Sequence, residues 1–360
     1  MKTLLKSVFY AIHIAVVLMM LVCAYSWYIP PDLVKYAGLA GLLFPLLLII
    51  NIMFGLYWLI RLNLKVFLTV FSVAAVLPQF KAVFQNFIRN EEVYNYDSLT
   101  FTTFNVRLFN YWHWVDADVK SEIPKLLDSL GTEILGIQEY YKGVYTPDLQ
   151  QFKYRYIATG YESDDFGMAI FSKYPIKKKD FVRFESTTSE DKNGFIYADI
   201  ETPLGMIRVI CAHLVSFKLT NEDLSLVEKP DISEHPEKIK NNYKLLFQKV
   251  NLAFEKRASQ VRDLKLFISE SSLPVVLLAD LNDTPISYTY KVLTNHLLDP
   301  FTQVGTGVGH TYNRTRYPFR IDYVMHSKHF SALSYSVAHK PKLSDHYPVT
   351  SILKINSLTQ

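Results

Sequence analysis

Two long apolar runs open the chain. Val8 to Tyr25 carries no formal charge over eighteen residues, with His13 inside it, and Leu39 to Ile60 carries none over twenty-two. A helix needs ~20 apolar residues to cross a bilayer core, so both runs qualify, and helices are expected at about 8–26 and 39–60. A third run, Val66 to Leu77, is shorter. It reaches spanning length only by borrowing Leu62 to Lys65 or by continuing through Pro78, which gives an expected helix at 64–80; an interfacial or re-entrant segment is the alternative. Beyond a polar junction from Arg89 to Ser98 the pattern changes to short apolar strands between polar loops. Strands are predicted at 99–106, 134–138, 168–172, 195–200, 206–212, 275–279, 321–326 and 348–353. Val119, Ile123, Leu126, Leu127 and Leu130 keep helical spacing up to Gly131, and a second helical pattern covers roughly 239–270. Residues 217–238 are polar and read as a surface insertion. The expected architecture is α/β: a two-sheet β-sandwich flanked by helices, in four layers, preceded by an N-terminal helical membrane region.

Charge sharpens this division. Of 38 basic and 34 acidic residues, six basic side chains and a single acid, Asp32, fall in residues 1–88. The remaining 32 basic and 33 acidic residues give 89–360 a net charge of −1. No basic surplus is left there to neutralise a polyanion, which disfavours a high-affinity nucleic-acid binder. Lys2 and Lys6 before the first run would suit a cleaved signal peptide, but the run is long for that and a second follows at once. A retained helix is the better reading. By the positive-inside bias, Lys2, Lys6, Arg61 and Lys65 belong on the cytoplasmic side. Three spans then make the later chain extracytoplasmic, and two make it cytoplasmic. Two cysteines, Cys23 and Cys211, exclude a disulfide-built scaffold and a cysteine-rich zinc site.

The candidate chemistry sits where strands end. Apolar runs stop at Asn105 in TFNVRLFN, at Glu139 in LGIQEYY and at Asp280 in VVLLADLNDTP, with Asn282 just beyond. His213 closes RVICAH, Asp322 lies in FRIDYV, and Asp345 and His346 form the SDH of KLSDHYPVT. Singly, such residues are usually turn formers, caps or core histidines. Together, oxygen ligands suit a hard divalent ion such as Mg²⁺, with Mn²⁺ as a substitute. Histidines and carboxylates beside that ion are what phosphoryl chemistry needs.

In order and spacing, NVR at 105–107, QE at 138–139, His213, ADLND at 279–283, RIDYV at 320–324 and SDH at 344–346 resemble the endonuclease/exonuclease/phosphatase superfamily. That superfamily includes pancreatic-type deoxyribonucleases, apurinic endonucleases, inositol polyphosphate 5-phosphatases and neutral sphingomyelinases. The resemblance covers roughly residues 98–355. ADLN replaces the usual GDFN and keeps Asp280 and Asn282. It implies Glu139 as the main metal ligand, Asn105 in support and Asp345 at the metal edge. Asp280 would orient or deprotonate the attacking water, while Asn282 and His213 would hydrogen-bond the phosphate. His346, fixed by Asp322, would contact the scissile phosphate; either Asp280 or the His346–Asp322 pair would be the base.

Other features have plainer readings. Lys177 to Lys179 reads as a solvated loop, and Arg257 and Gln260 as structural residues of a helix. Trp112 and Trp114 either edge a groove or pack a loop, and His310, Thr311 and Tyr312 are candidates to reach the site. The leading expectation is a membrane-anchored, Mg²⁺-dependent phosphodiesterase or phosphatase. A membrane-associated nuclease and a catalytically dead binding domain are the alternatives. The 21 residues from Pro78 to Ser98 extend to about 70 Å at most, so the site is expected close to the bilayer. A lipid headgroup or small phosphodiester is accordingly preferred over nucleic acid.

Overall fold

The computed structural model describes residues 2–86, 97–159, 165–185, 193–218, 220, 223, 226, 236–315 and 317–356. Most of the expected junction at 89–98, and most of the polar insertion at 217–238, lie outside the described residues. The chain divides into two compact units. One comprises Met1–Phe80, Val215–Ser259 and Ile286–Lys291; the other comprises Lys81–Leu214, Gln260–Pro285 and Val292–Gln360.

In the first unit, α1 (Lys2–Tyr25) and α2 (Ala37–Ile60) are long and apolar enough to cross a membrane. The third apolar run is a broken helix. α3 (Val66–Ala75) is followed by α4 (Leu77–Val83, which begins at the end of this unit), with a bend of 75° between them. Pro78 explains the break, because it has no N–H to offer the Ala74 carbonyl four residues back and its ring crowds that carbonyl. A buried polar cluster joins the first three helices. Trp58 donates its indole N–H to His13 Nδ1 at 3.1 Å, which assigns the ring proton to Nε2, and Nε2 faces Asn51 Oδ1 at 3.0 Å. Asn51 Nδ2 then donates to Ser72 Oγ at 2.9 Å. His13, Asn51, Trp58 and Ser72 thus have partners, as burial away from water demands. This unit also holds the larger part of α6 (Pro236–Ser269) and the start of α7 (Tyr288–Thr294).

The second unit is a sandwich of two sheets. One has the order β12-β13-β2-β3-β5-β4, with β2 Ser98–Asn105, β3 Ile134–Tyr141, β4 Tyr154–Thr159, β5 Phe166–Ser172, β12 Phe330–Val337 and β13 Val349–Ile355. The other has the order β11-β9-β8-β7-β6, with β6 Ile176–Arg183, β7 Gly194–Thr202, β8 Gly205–His213, β9 Val275–Asp280 and β11 Asp322–His326. Leu99, Phe101, Ile170, Ile196, Val209, Val276 and Leu278 fill the space between them. Gly136 lets β3 come close to β9: a Cβ there would stand 2.8 Å from Leu278 Cβ. α5 (Val119–Ser129), capped by Asp118, covers the outer face of the six-stranded sheet through Ile123, Leu126 and Leu127, packed with Leu135, Ile137 and Phe171. The last turns of α6 cover the other sheet, with Phe267 against Phe195 and Tyr197. This is the expected helix-flanked α/β sandwich.

One expectation needs correction. Lys177 to Lys179 lie on the edge strand β6, not in a loop, with Lys177 paired to Glu201 at 2.8 Å. Charge on an exposed edge blocks strand addition. The start of the junction is helical, in α4, and so falls short of full extension. After α4, β1 (Gln85–Asn86) pairs with β10 (Thr306–Gly307), just past the short helix α8 (Pro300–Val304). Arg320, held by Asp299 at 2.8 Å, donates to the Ala82 carbonyl at 2.9 Å.

Candidate active site

Among the described residues, each sheet contains a single parallel pair, β2–β3 in one and β8–β9 in the other. The site gathers at the carboxyl ends of these two pairs. Asn105 ends β2 and registers with Gln138, so Glu139 emerges one residue later at a bulge, with φ +51°. A non-glycine residue held there costs of order 1–3 kcal/mol and persists where the surroundings fix it. In the other sheet, His213 registers with Asp280 and Asp280 with Asp322, which lines up three chemical groups across adjacent strands. Asn282, also left-handed at φ +51°, follows, with its N–H on Asp280 Oδ1 at 2.8 Å. Asp345 and His346 arrive on the loop before β13.

Asn105 is the hub. Its buried Nδ2 donates to Glu139 Oε1 at 3.1 Å and to Asp280 Oδ2 at 2.9 Å. One amide thereby holds carboxylates from both sheets. His213 Nε2 points at the same two groups, 3.8 Å from Glu139 Oε1 and 3.6 Å from Asp280 Oδ2, too far for a hydrogen bond. That nitrogen is buried and has no partner among the described residues. His346 Nδ1 lies 2.9 Å from Asp322 Oδ2, leaving Nε2 to face Asp280 Oδ2 at 3.9 Å. Asn282 turns its amide to the Leu214 carbonyl at 3.0 Å. The eight predicted residues therefore converge, although Asp345 does so through another residue. Arg107 Nη1 binds Asp345 Oδ2 at 2.6 Å.

Burial pushes the Asp322 carboxyl up to about 6, against the pull of His346 and with a further push from Asp280. Burial works against charge on His346, but the carboxylates of Asp322 and Asp280, the Asp322 hydrogen bond and Asp345 outweigh it and push the imidazole up to about 10. Near neutral pH the pair is thus imidazolium and carboxylate. In that state His346 Nε2 is a proton donor.

The donor chemistry fits a divalent cation. Two carboxylates from different strands share one amide donor, and the buried His213 nitrogen beside them lacks a partner. Oxygen ligands of this kind suit a hard ion. Among the described residues, the acid and histidine atoms packed within 4.8 Å of one another belong to Asp280, Asp322 and His346. Glu139 and Asn105 adjoin that group through Asp280.

Arg107 has a place that its sequence position alone did not assign. Residues Arg107 to Asn110 all have φ between +43° and +61°, a left-handed turn pinned by the Asn110 side chain, which bonds Val115 in both directions. The turn lays the guanidinium 3.7 Å from the Trp114 ring centroid and against Asp345. Trp114 thus packs on Arg107, which the sequence marks only through its place in NVR. Of His310, Thr311 and Tyr312, the last two reach it. Thr311 Oγ accepts the Ile321 and Asp322 N–H groups at 3.0 and 3.1 Å, and the Tyr312 ring stands edge-on to His346 at 5.0 Å. His310 stacks on His339. Arg257 is structural, donating to the Val215 carbonyl at 3.0 Å and lying over Phe217 and Phe254.

The family model described as Endonuclease/Exonuclease/phosphatase family matches residues 102–346. A second, Domain of unknown function (DUF8431), matches residues 6–83. Solved structures with a similar fold include an endonuclease/exonuclease/phosphatase from Beutenbergia cavernae, at 17% identity and TM-score 0.50, covering 72% of each chain. Another, from Bacteroides vulgatus, has 17% identity and TM-score 0.50 over 72% of this chain and 99% of its own. D. rerio TDP2 in complex with a single-strand DNA product has 14% identity and TM-score 0.51 over 72% and 99%. No curated protein matches the chain significantly. The matched span begins on β2 and ends at His346, so it takes in each strand end that carries the site. The chain belongs to the endonuclease/exonuclease/phosphatase family.

Proposed function

We propose that the protein is a membrane-anchored, Mg²⁺-dependent phosphoester hydrolase whose substrate is a small or membrane-held phosphoester. The observation that carries this reading is the Asn105 hub, with Glu139 and Asp280 on one amide and the His346–Asp322 pair and unpartnered His213 nitrogen beside them. Glu139, with Asn105 in support and Asp345 at its edge, would hold the cation. When bound, the ion supplies charge neutralisation and Lewis-acid polarisation of a phosphoryl oxygen. Asp280, fixed by Asn105 and the Asn282 N–H, orients the attacking water and accepts its proton. His213 Nε2 and Asn282 donate to the phosphate as charge develops. His346, held as an imidazolium by Asp322, donates from Nε2. The proposal places the base at Asp280, whose Oδ2 is held by Asn105 and whose Oδ1 accepts the Asn282 N–H.

Three membrane crossings are part of the proposal. The unit with the apolar helices includes 215–259 and 286–291, chain that follows the last apolar run. Its contacts fall at the start of α2. Tyr36 N–H donates to Asn251 Oδ1 at 2.7 Å, a Cβ on Gly38 would meet the Phe254 ring at 2.4 Å, and one on Gly41 would meet the Ile286 carbonyl at 2.0 Å. If α2 spans, those segments lie on the Tyr36 side and Arg61 on the other. The chain then crosses once more between them, and Val66–Val83 is the apolar stretch left to do so. Positive-inside bias makes the catalytic side extracytoplasmic.

Purified full-length protein with Mg²⁺ should release phosphorylated headgroup from phospholipid or sphingolipid vesicles, and should lose that activity in EDTA. Rapid nicking of plasmid with no headgroup release would reject the substrate preference in favour of a nuclease. A C-terminal alkaline phosphatase fusion should be active; an inactive phosphatase with a fluorescent cytoplasmic reporter would reject three crossings.

A further inference from the structure

α6 carries a surface that catalysis does not use. Its Leu246, Val250 and Phe254 pack with Leu39 and Leu42 of α2. On another face, Leu245, Lys249, Leu252 and Lys256 repeat at i, i+4, i+7 and i+11, one stripe of a helix. Leu245 is 58% exposed and Leu252 is 52% exposed. Lys249 reaches Asp223 at 2.7 Å.

The level of this helix along α2 gives the stripe its meaning. Contacts with α6 and Ile286 cover α2 as far as Leu42, and the exposed apolar side chains of α2 begin at Leu43 and continue to Ile60. Those eighteen residues rise about 27 Å, close to the thickness of a hydrocarbon core. Leu39 and Leu42 therefore stand at headgroup depth, and α6 stands beside them. Exposed Tyr28 and Tyr36 flank the same end of the bundle, where interfacial aromatics belong.

We infer that the N-terminal half of α6 is an interfacial helix. Leu245 and Leu252 enter the boundary between headgroups and acyl chains of the bilayer that α1 and α2 cross, with Lys249 paired to Asp223 between them. The inference rests on the reading of α1 and α2 as spans and is independent of the substrate. It gives the membrane a second grip on the chain, next to the segment that begins just after His213.

The test uses full-length protein in vesicles of phosphatidylcholine and phosphatidylglycerol. Leu252→Cys and Leu245→Cys, made separately, are labelled with bimane; Cys23 and Cys211 are buried, and parent protein gives the background. Ile49→Cys on α2 and Lys178→Cys on β6 are controls. Both α6 labels should lose most of their emission to a lipid quencher placed near the headgroups and little to aqueous iodide, while the Lys178 label does the reverse. Quenching of the α6 labels by iodide as strongly as at Lys178 overturns the inference, as does protection from both quenchers, which would mean a protein cover such as a second copy. Failure of a deep acyl-chain quencher to reach the Ile49 label would instead reject the spans themselves.

Discussion

Removing the amide that joins the two sheets should be the most damaging small change at the site. Asn105→Ala deletes the donor to Glu139 Oε1 and Asp280 Oδ2, and the acceptor of the Arg107 N–H at 3.0 Å. A hydrogen bond to a charged group contributes about 1.5–3 kcal/mol, so losing two removes about 3–6 kcal/mol of positioning from the two carboxylates. If that energy is felt in the transition state, at 1.36 kcal/mol per decade turnover falls roughly 10²–10⁴-fold. Asn105→Asp tests the sign. It keeps the shape but puts a third carboxylate between two others, so its loss should be as large at low Mg²⁺ and should recover in part as Mg²⁺ is raised. The assay is hydrolysis of bis-p-nitrophenyl phosphate by the full-length protein across a Mg²⁺ series, below the Tm of each variant. Turnover of Asn105→Ala within about a factor of three of the parent would refute the hub. So would an Asn105→Asp enzyme indifferent to Mg²⁺.

Glu139→Gln should raise the Mg²⁺ needed for half-maximal rate by at least ~10-fold, because it removes the charge but keeps the acceptor; an unchanged Mg²⁺ curve would move the ligand elsewhere. Asp280→Asn and His346→Ala should each cut turnover at least ~100-fold, with Lys178→Ala, on the edge strand, as the unaffected comparison in the same assay. Gly136→Ala brings a Cβ to 2.8 Å from Leu278 Cβ and should cost about 1–3 kcal/mol by overpacking, read as a lower Tm with the Mg²⁺ curve unchanged.

Interior strands and edge strands differ in what they leave in the sequence. The apolar run of β3 gives way to Gln138 and Glu139, and buried β9 ends at Asp280, so both the strands and their chemistry stand out. β4, β6 and β12, which sequence patterning does not find, are edge strands. An edge strand keeps only part of its surface from water; IKKKDFVR in β6 has four consecutive exposed positions, and without alternating burial there is no period to read. The break between α3 and α4 has a visible cause in Pro78, but its 75° angle depends on packing. Within the site, the acids and histidines were legible because strand ends fix them locally. Arg107 was not, because its place depends on four successive left-handed residues and on a partner, Asp345, from the far end of the chain.

The same logic explains why the site lies between sheets. Each parallel pair brings two chain segments to one end of the sandwich, and Asp280 is where the two ends meet. It registers with His213 on one side and Asp322 on the other, and reaches Asn105 of the opposite sheet through its Oδ2. A shift of one residue in β9 would turn that carboxylate to the other face and lose all three relations at once. Burial of Val276 and Leu278 between the sheets opposes such a slip. The apolar pattern that builds the core is thus also what sets the position of the carboxylate, which ties the chemistry of the site to the packing beneath it.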